Sequence, residues 1–153
     1  MSKHKEKHQE KSKKNEKPIS EVNILCYTSL FFITNIFTAL YQQYFLYAFF
    51  FLLLTISSII VHTNDTIYTN LIDKLFISFI VVYGGVTMYH KYNDENYLNA
   101  FIVIIAFVFC IWVYILGFLH KDYCFHSEKC IADKYHCLLH LISSFGHHLI
   151  IFM

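Results

Sequence analysis

The segment DKYHCLLHLISSFGHHL, residues 133–149, carries four histidines inside a stretch otherwise apolar enough to enter a bilayer. His136 and His140 are four apart, so on a helix they share one face. Earlier in the chain Ser58-x-x-x-His62 repeats that spacing, and Asp73 follows eleven residues after His62. An imidazole is costly to bury without a partner, so such a set points to a ligand or a water-filled cavity. Three imidazoles can hold Zn²⁺ and leave a fourth position for water, as catalytic zinc sites do. Bound Zn²⁺ lowers the pKa of that water and polarises a carbonyl, which suits amide or ester hydrolysis. A nearby carboxylate can take the proton of the water, and a serine can hold a developing oxyanion.

The elements that must position these residues are membrane helices. From Val22 to Asn64 there are 43 consecutive residues without Asp, Glu, Lys or Arg. A soluble core has no use for such a run, whereas a membrane does. Each crossing needs roughly 20 residues, because a helix rises about 1.5 Å per residue through a layer of about 30 Å. The expected fold class is therefore all-α, a polytopic transmembrane bundle of about five helices over 22–41, 44–63, 69–89, 97–119 and 131–152. The polar YQQY at 41–44 splits the first two crossings. Continuous apolar runs, rather than alternating ten-residue strands, exclude a transmembrane β-barrel. Residues 1–20 hold seven of the twelve lysines and read as a disordered tail. Basic residues confined to one tail, with a net charge of +1, leave no nucleic-acid footprint. The long polar N-terminal region, with no small-residue cleavage site after it, argues against a cleaved signal peptide.

Orientation follows from the lysines. With a cytoplasmic N-terminus, eleven lysines face inside and only Lys91 faces outside, and the C-terminus is lumenal or extracellular. Parity then brings Ser58, His62, Asp73, His136 and His140, from three crossings, into one leaflet. Reversing the orientation moves the whole group together.

The order Ser58-x-x-x-His62, Asp73, His136-x-x-x-His140 resembles the alkaline ceramidase superfamily. That superfamily includes progestin-and-adipoQ receptors, haemolysin III-like proteins and GPI-remodelling lipases. The resemblance spans residues 55–75 and 133–149. It implies a zinc-dependent membrane hydrolase with His62, His136 and His140 as metal ligands and Ser58 and Asp73 as supporting catalytic residues. The implied substrate is a lipid amide or ester that enters from the bilayer. This chain departs from the family pattern in three ways: about five helices rather than seven, Val61 in place of an aromatic residue, and Lys74 where ceramidases tend to be acidic.

Other readings compete. A non-catalytic receptor-like, scaffold or fusion protein could use the same histidines as a structural or vestigial metal site, and histidines with an aspartate could relay protons in a small transporter. His147 shares the face of His140 but lies about 10 Å deeper, which makes it a polar lining residue rather than a ligand. His120, Cys124, His126 and Cys130 form a second, looser candidate for a soft metal, with a C-x5-C spacing that fits no common zinc module. A Cys124–Cys130 disulfide would need a lumenal loop, against the lysine count. Cys26, Cys110 and Cys137 read as packing residues, and Gly84 and Gly85 as points of close helix contact.

Overall fold

The computed structural model describes residues 23–93 and 95–153. The tail expected over residues 1–20 lies outside the described residues. Six helices and one 3₁₀ turn make up the described chain, with no strand: α1 (Asn23–Ser29), α2 (Phe31–Tyr41), α3 (Phe45–Thr63), α4 (Ile67–Lys91), α5 (Tyr97–His120), the turn Tyr123–Phe125, and α6 (Lys129–Phe152). α1 and α2 together form one crossing, Ile24–Tyr41, interrupted at Leu30. Counted so, the described chain has five long helical segments where about five were expected, with ends moved by a few residues.

Local chemistry accounts for those ends. Thr28 and Ser29 both turn their hydroxyls back onto the carbonyl of Leu25, at 3.1 and 2.8 Å. Such back-bonding competes with the helical ladder and bends or breaks it. At 41–44 the chain reverses in a Schellman motif. Gln43 adopts a left-handed φ of 63°, the Tyr44 N–H donates to Ala39 O and the Gln43 N–H to Leu40 O. α4 begins two residues before the expected start because Thr66 and Thr69 cap one another reciprocally. α5 ends at Lys121, also left-handed, where Gly117 lies so close to the backbone of Asp122 that a Cβ would meet its carbonyl oxygen at 2.7 Å.

Four spans are long and apolar enough to cross a membrane: Ile24–Tyr41, Phe45–Thr63, Ile67–Lys91 and Tyr97–Phe125. Large apolar side chains cover their outer faces; Phe37 is 68% exposed and Val82 65%. Water would not tolerate a surface of this kind at such extent, whereas lipid does. The chain is a multi-pass membrane protein. α6 has comparable length, about 36 Å of rise, but its histidines and serines keep it outside that apolar class. It nonetheless runs the full length of the bundle. Its first turns meet His62 at the C-terminal end of α3, and at its far end Lys91 of α4 donates to Ile150 O and Ile151 O at 3.2 and 2.6 Å.

α3 packs between α2 and α4, while α6 packs on α1, α2 and α5. Tyr47, Phe51, Phe32, Ala39, Ile80, Val103, Ile150 and Ile151 meet in one buried cluster. The polar face of α6, with His140, Ser144 and His147, is turned inward against this frame.

Candidate metal centre

His62 sits in the last turn of α3, and His136 and His140 in the first half of α6. Their rings form a triangle, with centroids 5.0 Å apart for His62–His136, 5.5 Å for His62–His140 and 4.8 Å for His136–His140. Each ring offers one nitrogen such that the three lie within 4.8 Å of one another. His140 is buried and the other two are half-buried. Nε2 of His62 is buried with no hydrogen-bond partner. That nitrogen is open to a ligand, although Nε2 of His147, outside the triangle, is buried and unpartnered as well.

The residues fit a zinc ion. Zinc–nitrogen bonds of about 2.0–2.1 Å at tetrahedral angles put ligand nitrogens about 3.4 Å apart. Drawing three imidazoles in from within 4.8 Å requires only small side-chain rotations. Three neutral imidazoles are also the donor set that leaves one tetrahedral position open.

Ser58 and Asp73 each have a hydrogen-bonding partner within the protein. Ser58 is buried, with its Oγ 2.9 Å from Ser29 Oγ on α1. The Ser29 hydroxyl already donates to Leu25 O, so the hydrogen of the Ser58 hydroxyl goes to Ser29. Asp73 pairs with Ser57, the neighbour of Ser58, whose hydroxyl donates to Asp73 Oδ1 at 2.9 Å. Hydroxyls flank the triangle from α1 as well, since Thr28 Oγ1 lies 3.0 Å from His140 Nδ1.

Deeper in the bundle, His147 does not line a cavity. It is 1% exposed, its Nδ1 is hydrogen-bonded to the Tyr47 hydroxyl, and its ring meets Phe51 and Phe107 edge-on at 5.2 and 5.0 Å. His148 turns to α2, where Asn35 joins three groups of α6. The Asn35 amide nitrogen donates to Ser144 O and lies 2.9 Å from His148 Nδ1, and its amide oxygen accepts from the Ser144 hydroxyl. Gly84 is the contact point expected of it: a Cβ there would meet Tyr47 Oη at 2.7 Å and His147 Cε1 at 3.0 Å. Gly85 differs, facing open space.

The second candidate, in the 120–130 loop, does not assemble. Nδ1 of His126 accepts from the Glu128 N–H, and Cys124 and Cys130 are free thiols, half-buried and exposed respectively. Among the described residues, His62, His136 and His140 form the one set of three or more such side chains placed to share an ion.

Thr28, Ser29, Asn35 and Tyr47 all engage the polar face of α6 or its partners, and none was singled out from the sequence. A signal was present. Thr28 and Asn35 are polar residues in the uncharged run, seven apart and so on one face over two turns. Compared with known proteins, the chain matches no family model, no curated protein and no solved structure.

Proposed function

We propose that this chain is a zinc-dependent membrane hydrolase of the ceramidase-like kind, acting on an amide or ester bond of a membrane lipid. The convergence of His62, His136 and His140, with the buried Nε2 of His62 unpartnered, carries this reading. It agrees with the ligand order of the alkaline ceramidase superfamily that the sequence resembles. Zinc held there would supply an activated water and polarise the scissile carbonyl. The chain's own residues do the rest. Asp73, steadied by Ser57 through Oδ1, keeps its second oxygen to orient a water or accept its proton. Ser58, whose hydrogen is held by Ser29, must release it before it can donate to a developing oxyanion. The apolar outer faces of the spans leave the bilayer as the route of entry, so the substrate is a lipid whose polar linkage reaches the leaflet of the triad. Purified protein should contain stoichiometric zinc and release fatty acid from a ceramide or acyl-lipid in mixed micelles, and a chelator should abolish the release. Zinc-loaded protein with no turnover across both substrate types would sink the hydrolase reading.

One observation favours a second reading, a non-catalytic protein whose metal staples α3 to α6. Both supporting residues are already paired within the protein, Ser58 with Ser29 and Asp73 with Ser57. X-ray absorption on the zinc-loaded protein separates the two. Three nitrogens plus an exchangeable oxygen match the hydrolase, whereas a closed shell of protein ligands matches the staple.

A further inference from the structure

We infer that Thr28 is a positioning residue of the triad, fixing which nitrogen of His140 faces the ion. The inference rests on the metal-centre reading above and adds to it a residue from the first crossing.

A metal-binding imidazole needs one nitrogen as a lone pair and the other as a donor to an outer partner, which fixes both tautomer and ring orientation. His140 has that outer partner, with Nδ1 3.0 Å from Thr28 Oγ1. A hydroxyl carries one hydrogen and two lone pairs. The Thr28 hydrogen has two acceptors of its own, Leu25 O at 3.1 Å and Cys137 Sγ at 3.6 Å. Its lone pairs are then available to accept the Nδ1 hydrogen. His140 is left with Nε2 as the lone-pair nitrogen. Phe32, immediately beyond the break at Leu30, packs on the same ring at 5.3 Å and limits its rotation.

The adjacent positions of Thr28 and Ser29 at the end of α1 make this possible. One reaches His140 on α6 and the other Ser58 on α3. On one face of an uninterrupted helix, neighbouring side chains diverge by about 100°. At the end of the short α1 they bracket the triad from its two supporting helices.

The test uses the full chain in detergent, with zinc affinity measured by chelator competition and the ligand field read from the visible spectrum of the cobalt-loaded protein. Thr28→Val keeps the volume and removes the hydroxyl, while Thr28→Ser restores it. Thr28→Val should bind zinc about 10–100-fold more weakly and shift the cobalt bands, as loss of an outer partner of a ligating histidine does. Thr28→Ser should return both readouts close to wild type. Wild-type zinc with unchanged affinity in Thr28→Val overturns the role of Thr28 and leaves the metal centre standing. Equal weakening in Thr28→Val and Thr28→Ser assigns the effect to packing and also overturns it. No zinc in the wild type overturns both readings.

Discussion

The imidazole of His147 and the phenol of Tyr47 share a hydrogen bond under the bare Cα of Gly84. Three helices, α6, α3 and α4, therefore meet at one polar contact in the middle of the bundle. Tyr83 closes it from a second side, 5.0 Å from the Tyr47 ring. The histidine triangle depends on α3 and α6 holding a fixed register, and this contact fixes it about two turns further along α6.

Tyr47→Phe should lower stability without removing zinc. An average interhelical hydrogen bond in a membrane contributes about 0.6 kcal/mol, whereas a buried polar group left without its partner costs about 1–3 kcal/mol. His147 is almost fully enclosed, so the larger range applies. Thermal unfolding and zinc content of the same preparation check both halves. Loss of zinc in step with stability would mean that the two sites are not separable.

Gly84→Ala and Gly85→Ala should act in opposite directions. The new methyl at 84 would press on Tyr47 and His147, an overpacking that costs about 1–3 kcal/mol. At 85 it meets nothing, so the helix gains about 0.5–1 kcal/mol from losing a glycine. The melting temperatures of the two variants, measured side by side, should fall on either side of wild type.

His140→Ala should abolish stoichiometric zinc, by elemental analysis after identical purification, and should lower thermal stability in detergent. Equal zinc in variant and wild type would remove His140 from the ligand set. Ser58→Ala and Asp73→Asn should keep most of the zinc and lose most hydrolysis, because their bonds run to Ser29 and Ser57 rather than to the imidazoles.

Zinc affinity should fall as the solution is acidified. Only neutral imidazole ligates, so protons compete with metal for all three histidines. The sign is fixed: metal-linked stability is present at neutral and alkaline pH and is lost as pH drops through the imidazole range, near 6.5 for an unperturbed ring. Melting temperature against pH, with and without zinc, should converge at the acid end. A zinc increment that is constant with pH would argue against histidine ligation.

Reporters at the two termini should lie on opposite sides of the membrane, with the N-terminal one cytoplasmic. α6 runs along the bundle from His62 to Lys91, and a crossing by it would bring the number to five, which is odd. Glycosylation-site tagging at each end reads this out directly, and a shared side for both would break the five-crossing arrangement.

The spans and the triad were legible in the sequence for different reasons. The spans follow from uncharged length alone, and the triad from two four-residue spacings plus the parity of crossings, which fixes a leaflet without knowing how the helices pack. Pairing needs packing, so it was not legible. Ser58 and Asp73 read as supporting residues of a metal, and packing adds partners the sequence does not name: Ser58 meets Ser29 and Asp73 meets Ser57. The break at Leu30 has no proline or glycine to announce it, only the hydroxyl pair Thr28–Ser29. The expected closeness at Gly84 and Gly85 held only for Gly84, because adjacent helix positions face different neighbours.

The inward polar face of α6 also bears on how the protein is made. Helices leave the ribosome in order, and α6 emerges after α1 to α5, carrying His136, His140, Ser144, His147 and His148. Presented alone to the translocon, it is the span least able to partition into lipid. By then Thr28, Asn35 and Tyr47 are already in the membrane, each the hydrogen-bonding counterpart of one of those side chains. Insertion of α6 should therefore depend on the earlier crossings, which supply its hydrogen-bonding partners. Deleting the first crossing would strand the final helix outside the bilayer, well before any question of catalysis arises.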